Sequence, residues 1–155
     1  MATREEIDRT YTTTLVLVGA LVMGQVTFAA VVFYMLRAAE QAAPPVRLTD
    51  PLVLAWLLVS AGSIFGAFYF RQLISGARDR PAALQRVREG KVKPANLQTM
   101  IVIMWALLEG AGLMGLAVAF VLGGAQILYV TIGYIAATGF VFFPRREWFD
   151  AFMQG

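Results

Sequence analysis

Four long apolar segments divide the chain, at about 15–36, 52–70, 99–122 and 125–143. Each holds about 20 residues, which is enough for a helix to cross a hydrocarbon core of about 30 Å. None alternates apolar and polar residues as a membrane barrel strand does, so helices are expected. The pattern predicts an all-α polytopic membrane protein with a single four-helix transmembrane domain over residues 1–155.

The connections between the segments carry helix caps and turns. Thr3 and Glu6 form a capping-box pattern, so the first helix is expected to begin before the membrane. Thr49 or Asp50 can cap the second helix, and Pro51 is a good first residue for it. The very short "LGGAQ" connection at 122–126 predicts that the third and fourth helices are antiparallel neighbours.

Two shorter helices are expected at the membrane surface. One lies in the loop at 79–90, where Asp79 and Gly90 flank a candidate helix as cap residues. This loop is either a docking site for a partner or anionic lipid, or a solvated basic loop. The other is the tail after Pro144, where Trp148 and Phe149 are expected to anchor an interfacial helix.

Composition removes several classes of chemistry. The chain is 59% hydrophobic with a mean hydropathy of +0.66, and 15% of its residues are charged, against about 25% in soluble domains. It contains no Cys and no His, so it lacks thiolate nucleophiles, imidazole metal ligands and the commonest general base. We therefore expect a protein that is not an enzyme and that has no metal and no cofactor.

The basic residues predict an orientation in the membrane. The net charge is +3, and seven of the thirteen Lys and Arg residues lie between the second and third segments. The first connection has two, and the third has none. By the positive-inside rule both termini face the cytoplasm, and we expect a bacterial-type inner membrane. Because the charges flank apolar segments, the lipid bilayer is the expected partner, and nucleic acid is not.

Glu109 is the only charged residue inside the four segments. An ionised carboxylate at the centre of a bilayer is costly, so this side chain is expected to be protonated, hydrogen-bonded or bound to a cation. Counting along each helix places other polar side chains at about the same depth. These possible hydrogen-bond partners are Gln25, Ser60, Ser63, Tyr134 and Thr138.

Small residues recur at intervals of four on two of the predicted helices. They are Gly62 and Gly66 on the second helix, and Ala111, Gly115 and Ala119 on the third. Such spacing lets membrane helices approach closely. The contacts are either within one four-helix bundle or between copies or subunits, and the sequence leaves both open.

Residues 106–124, "ALLEGAGLMGLAVAFVLGG", resemble the ion-carrying helix of the proteolipid c subunits of rotary ATPases. In that family one mid-helix Glu or Asp is followed by small residues, as Glu109 is followed by Gly115 and Ala119. The resemblance implies that Glu109 binds and releases a proton or sodium ion. It covers nineteen residues, and the second helix lacks the dense glycines of that family. The whole chain looks like a small four-helix membrane protein.

Two functions fit these observations. In one, the chain is a non-enzymatic subunit of a homo-oligomer or larger membrane complex, and Glu109 is a proton or cation site. In the other, the chain is a structural accessory or scaffold subunit, and protonated Glu109 is a hydrogen-bond clasp between helices.

Overall fold

The computed structural model describes residues 3–38, 47–79 and 94–150. The described chain forms four long helices, α1 (Arg4–Ala38), α2 (Pro51–Asp79), α3 (Pro94–Leu122) and α4 (Ala125–Phe142), and a short helix, α5 (Arg146–Asp150). Four helical stretches are long and apolar enough to cross a membrane. The all-α class and the four candidate spans predicted from the sequence are confirmed.

Helix α1 begins well before its apolar segment, as expected. The Thr3 hydroxyl accepts a hydrogen bond from the Glu6 backbone N–H at 3.2 Å, which caps the first turn. With 35 residues, α1 is about 50 Å long at 1.5 Å per residue. It therefore extends beyond a hydrocarbon core of about 30 Å.

Helix α2 starts where the cap pattern indicates. The Asp50 carboxylate accepts the Leu52 N–H at 2.9 Å, and Pro51 is the first helical residue. The helix continues to Asp79, nine residues past the predicted apolar segment. The expected helix in the 79–90 loop falls beyond that point, outside the described residues.

A tight turn reverses the chain between α3 and α4. Gly123 has φ 64°, a left-handed conformation that favours glycine. The Gly124 N–H bonds to the Ala119 carbonyl at 3.0 Å, and the Gly123 N–H bonds to the Phe120 carbonyl at 3.3 Å. This pair of bonds is a Schellman motif, which ends α3 and allows α4 to begin at Ala125.

Helix α3 is the central element of the bundle. It packs against α1, α2 and α4, whereas α1 and α2 make few direct contacts with each other. In its membrane-length segment 50% of residues are buried, compared with 22% for α1. Buried positions on α1 recur at Ile7, Thr14, Val18, Gln25 and Val32. This spacing, near 3.5 residues, is typical of helices that pack along a common seam.

The tail helix α5 packs on protein. Phe149 is 0% exposed, and its ring meets Tyr11 of α1 edge-on at a centroid distance of 5.2 Å. The Arg146 guanidinium donates to the Asp8 carboxylate at 2.9 Å. The predicted short tail helix is present, but Phe149 contributes to the core instead of anchoring in lipid. These contacts also bring the start of α1 and the tail helix α5 to the same end of the bundle.

Candidate site around Glu109

Contacts between α3 and α4 fix the relative depth of their residues. The Trp105 indole N–H donates to the Phe142 carbonyl at 3.2 Å, and Ile135 lies against Gly112. Because the helices are antiparallel, these pairs place Thr138 at the level of Glu109. The depth estimated by counting outward from the turn agrees with this register.

Helix α1 passes beside the Glu109 carboxyl group. A Cβ atom built on Gly24 would lie 3.7 Å from Glu109 Oε1, which is ordinary van der Waals contact. The next residue, Gln25, is 4% exposed. Its amide nitrogen lies 2.7 Å from the position of a Cβ at Gly112. Residues 24 and 25 of α1 therefore meet residues 109 and 112 of α3 at one depth.

The hydroxyl groups expected near Glu109 on α4 bond to main-chain carbonyls. Tyr134 donates to the Leu108 carbonyl at 3.4 Å. Thr138 lies 2.8 Å from the carbonyl oxygen of Tyr134, one turn earlier in its own helix. In the described part of the chain, neither side chain hydrogen-bonds to Glu109. Their role as partners of that carboxyl stays a prediction.

The two serines of α2 are both buried, and the structure does not pair either with Glu109. Ser60 is 7% exposed and Ser63 is 8% exposed. The Ser60 hydroxyl has no hydrogen-bond partner among the described residues. Among the five expected partners, Gln25 follows Gly24, which lies beside the Glu109 carboxyl group, and the Gln25 amide lies against Gly112 on the next turn of α3. Gln25 makes no described hydrogen bond to the Glu109 carboxyl group.

A close junction of three helices lies about two turns from Glu109. A Cβ at Gly115 would be 2.5 Å from Thr131 Oγ1 of α4 and 2.6 Å from Trp56 Nε1 of α2. The Trp56 indole N–H donates to the Ala111 carbonyl at 3.1 Å. Thr131 is 0% exposed, and its hydroxyl has no described partner. Only glycine fits between these side chains.

The other predicted packing residues fall in different surroundings. Ala111 and Ala119 are fully buried. A Cβ atom built on Gly66 would lie 3.6 Å from Leu107 Cδ1. Gly62 is exposed and has no atom within 4 Å of its Cβ position. The small residues of α3 thus line contacts inside the bundle, while Gly62 faces away from it.

Sequence reasoning missed Gly112, Thr131 and the bonding role of Trp56. One signal was available for the tryptophan: a buried indole N–H needs an acceptor, and inside a membrane that acceptor is often a carbonyl of a neighbouring helix. Gly112 and Thr131 carry no comparable signal, because their importance depends on which side of each helix faces the bundle.

The C-terminal end of α4 is capped by two neighbouring helices, which the sequence also did not reveal. The last carbonyls of a helix have no partner within it. Trp105 of α3 bonds to the Phe142 carbonyl, and Arg71 of α2 reaches the Val141 carbonyl at 3.4 Å. Phe68 of α2 also meets the Phe142 ring edge-on at 5.0 Å. These bonds fix the end of α4 against α2 and α3.

Glu109 itself lies at the margin of the seam between α1 and α3, partly exposed. It makes no hydrogen bond or ion pair among the described residues, and no other charged residue occurs inside the four apolar segments. Among the described residues, no three His, Cys, Asp or Glu side chains cluster as metal ligands do. The arrangement offers one partly exposed carboxyl group at the level of Thr138 and one turn from Tyr134.

Comparison with known protein families, with curated proteins and with solved structures found no match to this chain. The likeness to proteolipid c subunits is therefore carried by residues 106–124 alone.

Proposed function

We propose that the chain is a non-enzymatic subunit of a membrane homo-oligomer or larger membrane complex, in which Glu109 takes up and releases a proton or a cation. The observation that carries this proposal is the position of the carboxyl group. It is partly exposed at the margin of the α1–α3 seam, and the hydroxyls of α4 at its depth bond to carbonyls instead. An intramembrane ionisable group is by default a functional group.

The surroundings of Glu109 support exchange with a small ion. The titratable neighbour at this depth is Tyr134 of α4, whose hydroxyl bonds to the Leu108 carbonyl. Helices α1 and α2 bring no charged side chain into their apolar segments. A proton or small cation is therefore the charge partner that requires no rearrangement of the chain.

The seven basic residues between the second and third segments support a location in a bacterial-type inner membrane, with both termini cytoplasmic. The partners in this proposal are the bilayer and other membrane subunits, of the same or another chain.

The second candidate is the structural clasp. It requires Glu109 to hydrogen-bond across helices, and Gln25, whose amide lies against Gly112 of the next turn, is the candidate partner. Glu109→Gln separates the two functions, because glutamine keeps the size and hydrogen-bonding capacity of a protonated acid but cannot release a proton. An ion-carrying subunit is expected to assemble normally with this change and to lose transport. A clasp is expected to tolerate it.

The test is labelling with a hydrophobic carbodiimide in native membranes, mapped by mass spectrometry. This reagent reacts with protonated carboxyl groups that it reaches from lipid. Labelling of Glu109 is expected to fall as pH rises and to be blocked by Na⁺ or K⁺ if the site takes that cation. Glu109→Gln is the unlabelled control, and Glu109→Asp is expected to retain labelling. A folded protein whose Glu109 is unlabelled at every pH would contradict the proposal and favour the clasp.

A further inference from the structure

The contacts that α2 and α4 make at the depth of Glu109 lie on other faces of α3. Residues one or two positions apart on a helix do not face each other, whereas residues three or four apart do. Tyr134 of α4 donates to the carbonyl of Leu108, one position from Glu109. Helix α2 meets α3 at Leu107 and Ala111, each two positions from Glu109. These contacts therefore do not face the Glu109 side chain.

Gln25 of α1 lies on the same face of α3 as Glu109. Its amide nitrogen is 2.7 Å from the Cβ position of Gly112, three residues from Glu109, and the preceding residue, Gly24, lies beside Glu109 Oε1. Residues three apart on a helix have Cβ positions about 5–6 Å apart, which glutamate and glutamine side chains bridge by rotation about their own bonds. Thr27, also polar and on α1, is exposed and two positions from Gln25, on another face.

Gln25 and Glu109 both need a hydrogen-bond partner. Gln25 is 4% exposed, and among the described residues neither its amide nor the Glu109 carboxyl group has a hydrogen bond. A polar group without a partner is costly in hydrocarbon. A primary amide can serve a carboxyl group in both of its forms, because the amide oxygen accepts the O–H of the acid and the amide N–H donates to the carboxylate. One side chain therefore suits both states of a proton site.

A metal cation would need more oxygen atoms than this face of α3 offers. In hydrocarbon, a cation has to replace its water shell with several oxygen ligands, about six or more for Ca²⁺ and rings of carbonyls in potassium channels. Among the described side chains on this face, the oxygens are those of the Glu109 carboxyl group and the Gln25 amide. This set suits a proton, which needs one acceptor atom.

No neighbouring charge competes for the carboxyl group. Inside the apolar segments of the four helices, Glu109 is the only charged residue. The titratable residue that α4 brings to this depth is Tyr134, whose hydroxyl donates to the Leu108 carbonyl. The protonation of Glu109 therefore depends on pH and on the amide beside it.

We propose that the ion exchanged at Glu109 is a proton and not a metal cation, and that Gln25 is the positioning residue whose amide bonds to the carboxyl group in both protonation states. Uptake forms the carboxyl O–H bond with a proton from water, and release breaks this bond and returns the proton to water. This inference rests on the proposed function and deepens it, because it names the ion.

Carbodiimide labelling of Glu109 in native membranes tests the identity of the ion. Labelling is followed across pH in NaCl, KCl or LiCl, and choline chloride of equal ionic strength is the control. The pH of half-maximal labelling is expected to be the same in all four salts. Labelling that Na⁺, K⁺ or Li⁺ blocks, and choline does not, overturns this inference and leaves the proposed function intact.

Gln25→Leu tests the role of the amide. A hydrogen bond to a charged carboxylate is stronger than one to a neutral acid, so loss of the amide favours the protonated form. The pH of half-maximal labelling is expected to rise by about one unit. Thr27→Val is the matched control, because it removes a polar group of α1 from another face, and it is expected to leave this pH unchanged. No rise for Gln25→Leu, or an equal rise for both variants, overturns the role of Gln25.

Infrared spectroscopy gives a second measurement that does not depend on the reagent. The C=O band of protonated Glu109, assigned by its loss in Glu109→Gln, is expected to shift in Gln25→Leu and to stay in place in Thr27→Val. An unshifted band in Gln25→Leu overturns the role of the amide. Circular dichroism checks that the variants stay helical, and Gln25→Met, with an unbranched side chain of similar length, replaces Gln25→Leu if that variant unfolds.

The failure of this inference is distinguishable from the failure of the proposed function. Labelling that titrates with pH, but is blocked by a metal cation or is unmoved by Gln25→Leu, overturns the inference alone. A folded wild-type protein whose Glu109 is unlabelled at every pH overturns the ion site, and the inference with it.

Discussion

Two regions of α3, about one and a half turns apart, differ sharply in how they meet their surroundings. At Gly115 three helices converge so closely that a single added carbon would lie 2.5 Å from Thr131 and 2.6 Å from Trp56. At Gly110 nothing lies within 4 Å of a carbon added in the same way, and the adjacent residue is Glu109, the only charged residue inside the four apolar segments. We call these the closed junction and the open margin.

The difference shows that the chain uses its polar groups in two ways. In the closed junction, the Trp56 indole is fixed to a main-chain carbonyl, and the neighbouring side chains are buried. In the open margin, Glu109 is partly exposed and has no described hydrogen bond. The closed junction holds three helices together, and the open margin is the place of the proposed ion exchange.

The largest change in unfolding free energy is expected from Gly115→Ala. The added methyl group would overlap the Trp56 ring, which cannot move without breaking its bond to Ala111, so the variant is expected to lose about 1–3 kcal/mol of unfolding free energy. Gly110→Ala, on the same helix, is expected to change it by less than about 0.5 kcal/mol. Reversible unfolding in mixed micelles measures both. Equal losses would show that the junction is not closed.

The second largest loss of unfolding free energy is expected from Trp56→Phe. This change keeps most of the ring and removes the hydrogen bond to the Ala111 carbonyl, at an expected cost of about 1 kcal/mol. Trp148→Phe is the control, because the indole of Trp148 has no described hydrogen bond. The same unfolding measurement applies. A loss for Trp148→Phe as large as that for Trp56→Phe would mean that ring size, and not the bond, accounts for the result.

Thr131→Val is expected to act in the opposite direction. Valine has nearly the shape of threonine and removes a buried hydroxyl that has no described partner. Unfolding free energy should stay constant or rise by up to about 1 kcal/mol. The matched change Thr138→Val removes a hydroxyl that is bonded to its own helix, and it is expected to gain less. A clear loss for Thr131→Val would show that its hydroxyl is satisfied in the membrane.

The smallest effect on stability is expected from Gly24→Ala in the open margin. Its added carbon would lie 3.7 Å from Glu109 Oε1, so the unfolding free energy should change by less than about 0.5 kcal/mol. The methyl group narrows the approach to the carboxyl group, so carbodiimide labelling of Glu109 should become slower. Gly19→Ala, on the same helix with nothing within 4 Å, should leave the labelling rate unchanged. Identical rates for both variants would place the reagent's path elsewhere.

Depth along the membrane was readable from the sequence. Counting residues from the tight turn puts Thr138 at the level of Glu109, and the hydrogen bond from Trp105 to the Phe142 carbonyl gives the same register. The cap at Thr3 was also predictable, and Asp50 was one of the two cap candidates before Pro51. These features depend on distance along one helix or on neighbours in sequence.

The sequence did not show which face of each helix is buried in the bundle. Lipid and the bundle interior are equally apolar, so a helix that is apolar on all sides gives no indication of which face is buried. For this reason the roles of Gly112 and Thr131 were missed, and the sequence left open whether Gly62 faces the bundle or away from it. The tail shows the same problem: Phe149 has the same character whether it faces lipid or, as here, Tyr11.

The central position of α3 also has a consequence for how the chain is made. Synthesis proceeds from the N-terminus, so α1 and α2 enter the bilayer before the helix that joins them exists. Since these two helices make few contacts with each other, they are expected to remain apart until α3 is inserted. The hairpin of α3 and α4 is closed by Gly123 and Gly124. Once it is inserted, α3 can pack against both α1 and α2. A chain truncated after residue 79 is therefore expected to form two separate spans and no bundle.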